Sequence, residues 1–106
     1  MSDSRSGKSN GETWVVDVVV MPKDGVNDPE GEAIRGGLAS LGHDGISRVR
    51  AGRLIQVTIA ADDAGDAGLR AGVMAEQLLA NLVIEQFEIR VHPPGTTGAD
   101  GRADER

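Results

Sequence analysis

Apolar residues along this chain follow two periods, and the switches between them mark out its elements. Residues 14–21 alternate with period two: Trp14, Val16, Val18 and Val20 share one face, while Val15, Val19 and Met21 dominate the other. Asp17 is the one polar side chain inside this run, which predicts a first strand wanting cover on both faces. After Pro22 comes Asp28-Pro29, an N-cap residue followed by proline at the first helical position, with Glu30 and Glu32 near the positive end of the dipole. Ile34, Leu38 and Leu41 then recur at helical spacing, and Gly42 closes the helix. Gly31, Gly36 and Gly37 each weaken it by ~1 kcal/mol relative to Ala if interior, a cost that close backbone approach would explain.

A short second strand is expected over 46–50, a turn at Ala51-Gly52-Arg53, and a third strand over 54–60 with Ile55, Val57 and Ile59 on one face. Asp62-Asp63 opens a second helix running to about residue 80. Its main stripe is Ala67, Ala71, Met74, Ala75 and Leu78; Leu69, Val73 and Ala80 form a lesser one, as on a helix with two neighbours. Asn81 is placed to end it in left-handed backbone. In the last strand, 83–92, Phe87, Ile89 and Val91 point inward and Gln86, Glu88 and Arg90 outward. Glu85 has the inward parity, so the strand either begins late or carries a bulge.

The order is βαββαβ, an α+β two-layer sandwich with two helices on one face of an antiparallel sheet. Its other face is open, and the two-faced first strand invites a second subunit there. Residues 1–13 and 93–106 are Ser, Gly, Pro, Thr, Ala and charge without periodicity. Both read as disordered tails, leaving 14–92 as the domain.

Composition narrows the chemistry. With 106 residues there is room for one domain, and with Trp14 and Phe87 as its sole aromatics the core must be aliphatic. Cysteine is absent, which removes disulfides, thiolate nucleophiles and Cys-based zinc sites. A net charge of −6 argues against nucleic acid as a partner. No apolar run approaches the ~20 residues of a membrane span, and no secretory leader is evident, so a cytoplasmic location without membrane contact is expected. No Walker-type phosphate loop occurs. His43 and His92 read as surface residues, and Asp62, Asp63 and Asp66 as helix-start charges rather than a calcium loop. No catalytic, cofactor-binding or metal-ligating residues are expected. Positive charge does gather at Arg48, Arg50 and Arg53: a solvated edge, or a contact for an anion or acidic partner. Asn81 and Glu85 are either cap and strand-start residues or polar groups presented to a partner. Arg50, Arg53, Asn81 and Glu85 are therefore the candidate contact residues.

Several segments in order, Val20-Met21-Pro22-Lys23, Gly25-Val26, Asp28-Pro29-Glu30-Gly31-Glu32-Ala33, Leu41-Gly42, Val49-Arg50-Ala51-Gly52-Arg53, Leu78-Leu79-Ala80-Asn81 and Val83-Ile84-Glu85, resemble the PurS family, the small subunits of bacterial phosphoribosylformylglycinamidine synthase. The likeness spans about 15–91. It departs at Arg53, where the family usually has Lys, and at Leu82, where Pro or Thr is common. Both tails are longer than the family's. The resemblance implies a subunit without catalytic residues in a complex that uses glutamine, ATP and magnesium to convert formylglycinamide ribonucleotide to the formylglycinamidine in purine synthesis. This chain would bind no cofactor itself. Its implied partners are the large synthetase subunit, the glutaminase subunit and further copies of itself, as dimer or tetramer, with ammonia passing between the sites. The alternative is a dimeric metabolite-sensing domain of the same βαββαβ plan.

Overall fold

The computed structural model describes residues 12–94; most of both expected tails lies outside that span. Glu12 and Thr13, expected in the N-terminal tail, instead open the first strand, where they pair with Ala61 and Ala60. The elements are β1 (Glu12–Pro22), α1 (Pro29–Ser40), β2 (Arg53–Ala61), α2 (Ala64–Met74) continued by a π-helical turn (Ala75–Leu79), and β3 (Glu85–His92). One antiparallel sheet has the order β2-β1-β3.

β1 is central because it is the most apolar segment and its β-branched residues suit a pleated surface. Val16, Val18 and Val20 are fully buried, each flanked on both sides: Val18 lies between Ile55 and Ile89. Burying each contributes roughly 1.5–3 kcal/mol as an upper estimate. α2 covers this face. Asp63 caps it, its carboxylate accepting from the Asp66 N–H at 2.8 Å. Its inward stripe, Ala67, Ala71 and Ala75, is fully buried. Small residues bring the helix so near that a Cβ at Gly68 would lie 3.3 Å from the Val91 side chain.

Two details of this helix differ from the sequence pattern. The last turn is π-helical, with the Ala80 N–H donating to the Ala75 carbonyl at 3.0 Å. One surplus residue in that turn rotates the face, so Leu79 packs on the core while Leu78, expected inside, is 83% exposed. The helix then ends in extended backbone at Ala80, so Asn81 shapes the following turn rather than the helix end. β3 begins late, at Glu85, without a bulge in its register against β1.

Among the described residues, no helix covers the opposite face of the sheet. Val15, Val19 and Met21 are half-buried there between their strand neighbours. Asp17 sits among them, accepting from Gln56 Nε2 at 2.9 Å and lying 2.7 Å from His92 Nε2. Burial works against its charge, but the bonds to His92 and Gln56 hold the Asp17 carboxyl below its usual value.

The α+β class, the antiparallel sheet and the two helices match the expected plan. The expected strand over 46–50, however, is in no ladder among the described residues. α1 is attached mainly through its first turn: Gly31 is its one buried residue, and Ile34 and Leu41 remain 42% and 77% exposed.

Candidate functional site

Residues from three segments, 22–31, 48–53 and 79–85, meet at the end of the sheet where β1 leaves and β2 enters. Asp28 organises one side. Its Oδ1 accepts from the Gly31 N–H at 2.9 Å, the cap predicted for α1. Its Oδ2 accepts from the Ala51 N–H, also at 2.9 Å. One carboxylate thus ties the start of α1 to the strand-entry segment, and those two backbone donors, Gly31 before Ala51, lower its pKa. Gly31 is required there, because a Cβ would come within 2.3 Å of the Val49 carbonyl oxygen. Gly52 passes as closely over β1, where a Cβ would meet the Val20 carbonyl oxygen at 2.2 Å.

Arg53 organises the other side. It and Glu85 stand on the same face of the sheet, on strands flanking β1, with Val20 opposite Arg53 and Pro22 opposite Glu85. Strands two apart are separated by about 10 Å, a gap that only long side chains close. Arg53 Nη1 lies 2.7 Å from Glu85 Oε2 and Nη2 lies 3.2 Å from Oε1, a bidentate pair. Arg53 Nη2 also donates to the Leu79 carbonyl at 2.6 Å, satisfying an acceptor at the π-turn. Glu85 Oε1 accepts in turn from the Asn81 N–H at 2.7 Å. Asn81 Oδ1 accepts from the Val83 N–H at 3.1 Å, and its carbonyl accepts from the Ile84 and Glu85 N–H groups. Arg53, then Asn81, lower the Glu85 pKa, and Glu85 raises that of Arg53.

Three of the four candidate residues, Arg53, Asn81 and Glu85, therefore form a single network. Arg50 stands apart from it: Nη2 donates to the Pro22 carbonyl and lies 3.8 Å from Asp24 Oδ1, while Arg48 lies 3.4 Å from the same oxygen. Two adjoining clefts of about 480 and 410 Å³ flank the Asp28 region. Arg53 and Glu85 line the first, Arg48 and Arg50 the second. Among the described residues no group of three or more His, Asp or Glu side chains is arranged to hold a metal ion, and no helix is long and apolar enough to cross a membrane.

Sequence reasoning placed Asp28 as a helix cap and missed its second bond, to Ala51. It also missed that Arg53 and Glu85 are partners. The inward parity of Glu85 was the available signal, since a carboxylate on a core-facing position needs a cation within reach.

The model of the family described as phosphoribosylformylglycinamidine (FGAM) synthase, PurS, matches residues 15–93. The phosphoribosylformylglycinamidine synthase subunit PurS of Synechocystis is 39% identical over 87 residues, 82% of this chain and 87% of the relative. The B. subtilis PurS structure superposes with a TM-score of 0.66 at 35% identity, covering 76% of this chain and 99% of the other. A chain of PurLQS from Thermotoga maritima gives a TM-score of 0.69 at 26% identity, covering 76% and 98%. These likenesses favour a synthase subunit over a metabolite sensor.

Proposed function

Since the chain belongs to the PurS family, and so is a subunit of phosphoribosylformylglycinamidine synthase in purine biosynthesis, we propose that its part in that ligase complex is assembly and ammonia coupling rather than bond chemistry. The reaction assigned to the complex is conversion of formylglycinamide ribonucleotide to formylglycinamidine ribonucleotide with glutamine and ATP-magnesium, in the cytoplasm. The glutaminase subunit releases ammonia and the large synthetase subunit uses it. This chain holds the two together and self-associates while doing so.

The observation that carries this reading is a division of labour among the side chains. At the junction, Arg53, Asn81 and Glu85 bond to one another, and Asp28 bonds to the Gly31 and Ala51 backbone, fixing the shape of two connections. Large apolar side chains meanwhile face outward: Leu41, Leu69, Leu78 and Val83 are each at least 70% exposed. Polar groups engaged internally, with apolar groups presented externally, describe a docking element. Arg48 and Arg50, paired only with exposed Asp24 and a carbonyl, remain the groups best placed to meet an acidic partner surface.

An omission assay tests this. The cognate synthetase and glutaminase are supplied with ATP, magnesium and formylglycinamide ribonucleotide, and ADP release is followed with glutamine or with ammonia. Glutamine-driven turnover is expected to need this chain and ammonia-driven turnover to need it much less. Equal rates with and without it, and no complex on a sizing column, would discard the coupling role.

A further inference from the structure

We propose that the cleft lined by Lys23, Arg48 and Arg50 receives a side-chain carboxylate of a partner subunit, and that Asp24 occupies it as a resident competitor until the partner displaces it. The proposal rests on the assembly reading above and names the chemistry of one contact in that assembly.

The cleft, about 410 Å³, lies between the loop that leaves β1 and the segment 48–50. The fold gathers its cations. Arg50 is half-buried, and its Nη2 donates to the Pro22 carbonyl. The Lys23 N–H donates to the Ile84 carbonyl at 2.9 Å, which fixes the backbone beneath that side chain. Arg48 and Arg50 converge on a single acceptor, Asp24 Oδ1, at 3.4 and 3.8 Å. Two guanidinium groups aimed at one carboxylate oxygen form an arrangement suited to carboxylate recognition. The neighbouring acids are engaged elsewhere: both oxygens of Asp28 accept from backbone N–H groups, and Glu32 pairs with Arg35 at 3.5 Å.

Asp24 itself is held loosely. The Val26 N–H donates to the Lys23 carbonyl at 3.2 Å, and Gly25 has the φ of 85° that the third position of a type II turn requires. Asp24 therefore stands at the tip of a turn, with its side chain 84% exposed. Ion pairs this long and this open to solvent are screened by water and salt, and they hold little. The cations are built in, while their counter-ion is exchangeable.

Charge decides which anion fits. Lys23, Arg48 and Arg50 share the lining with Asp28 and Glu32, and Asp24 completes the balance. Replacing Asp24 by one other carboxylate leaves that balance unchanged. A phosphate dianion would bring surplus negative charge up to Asp28 and Glu32. A free carboxylate has no advantage over Asp24, which is tethered beside the site. One carried on a docked subunit arrives with the rest of its interface, at high effective concentration.

Calorimetric titration of the full-length chain with the cognate synthetase and, separately, with the glutaminase tests this at fixed ionic strength. Asp24→Asn removes the competitor and should tighten binding to one of the two subunits by about threefold. Arg48→Glu should weaken it on the order of tenfold, and should do so in the Asp24→Asn background as well. Both side chains are exposed, so neither change threatens the fold. An Asp24→Asn chain that binds no better than the parent, or worse, would overturn the proposal, since Asp24 would then serve as a brace for the arginines. Parent binding with every variant unchanged would strike the cleft and leave assembly standing; no binding by the parent would remove both. Variants that alter only the size of the chain's own oligomer would assign the cleft to another copy. Competition by inorganic phosphate and not by acetate would assign it to a phosphate. Either result overturns the partner carboxylate.

Discussion

The two halves of this molecule solve the problem of burial differently. The sheet with α2 is self-sufficient: three valines and three alanines are at 0% exposure, and every strand has a partner. The arm of α1 and 41–50 has one buried residue in its helix and, among the described residues, no ladder in its expected strand segment. Yet both are well written locally, with an aspartate N-cap on each helix and apolar residues at the right period. Local propensity can therefore specify an element completely without specifying what it packs against, since most helical stability comes from packing an amphipathic face.

Substitutions sharpen that contrast. The largest effect belongs to the centre of the sheet: Val18→Ala should lower unfolding free energy by about 2–3 kcal/mol, measured by urea titration and independent of protein concentration. Ile34→Ser should leave a dilute sample within about 0.5 kcal/mol of the parent and destabilise it only where copies associate. Equal losses at all dilutions would show that α1 has a partner within its own chain. Next comes the joint between the halves. Asp28→Ala removes a helix cap and the Ala51 tether together, and should lower Tm by roughly 4–8 °C; no shift would mean that the tether is idle.

The smallest effect is on pH. Asp28 and Glu85 both titrate below their ordinary values of 3.8 and 4.5. A depressed carboxylate favours the folded state above its unfolded pKa, and the contribution is lost as pH falls through the folded one. Stability should therefore be flat down to about pH 5 and decline below it. Glu85→Gln should flatten that decline without changing the response of the Val18→Ala variant to urea.

Most of the sheet was legible in the sequence. Period-two runs of β-branched residues set the faces of β1, β2 and β3 to within a residue or two at each end, and Asp28 and Asp63 announced both helix starts. Three features were not legible. The π-turn was hidden because Leu78 and Leu79 are both leucine, so either fits an inward position and only the hydrogen-bond count decides. The unpaired 46–50 segment was hidden because period and propensity say that a stretch is extended, not which edge receives it. Of the candidate residues, Arg53, Asn81 and Glu85 bond to one another and Arg50 does not; those bonds were hidden because they depend on strand order, which places β2 and β3 on either side of β1.

The π-turn also bears on how the chain tolerates changes in length. Its surplus residue is absorbed within one turn: Ala75 before it and Leu79 after it both reach the core, and Glu85 still meets Arg53. Removing Gln77 would return the turn to ordinary α-helical spacing while leaving an inward leucine. Insertions and deletions at this point should be accommodated without disturbing the register of β3, so the helix end serves the domain as an expansion joint.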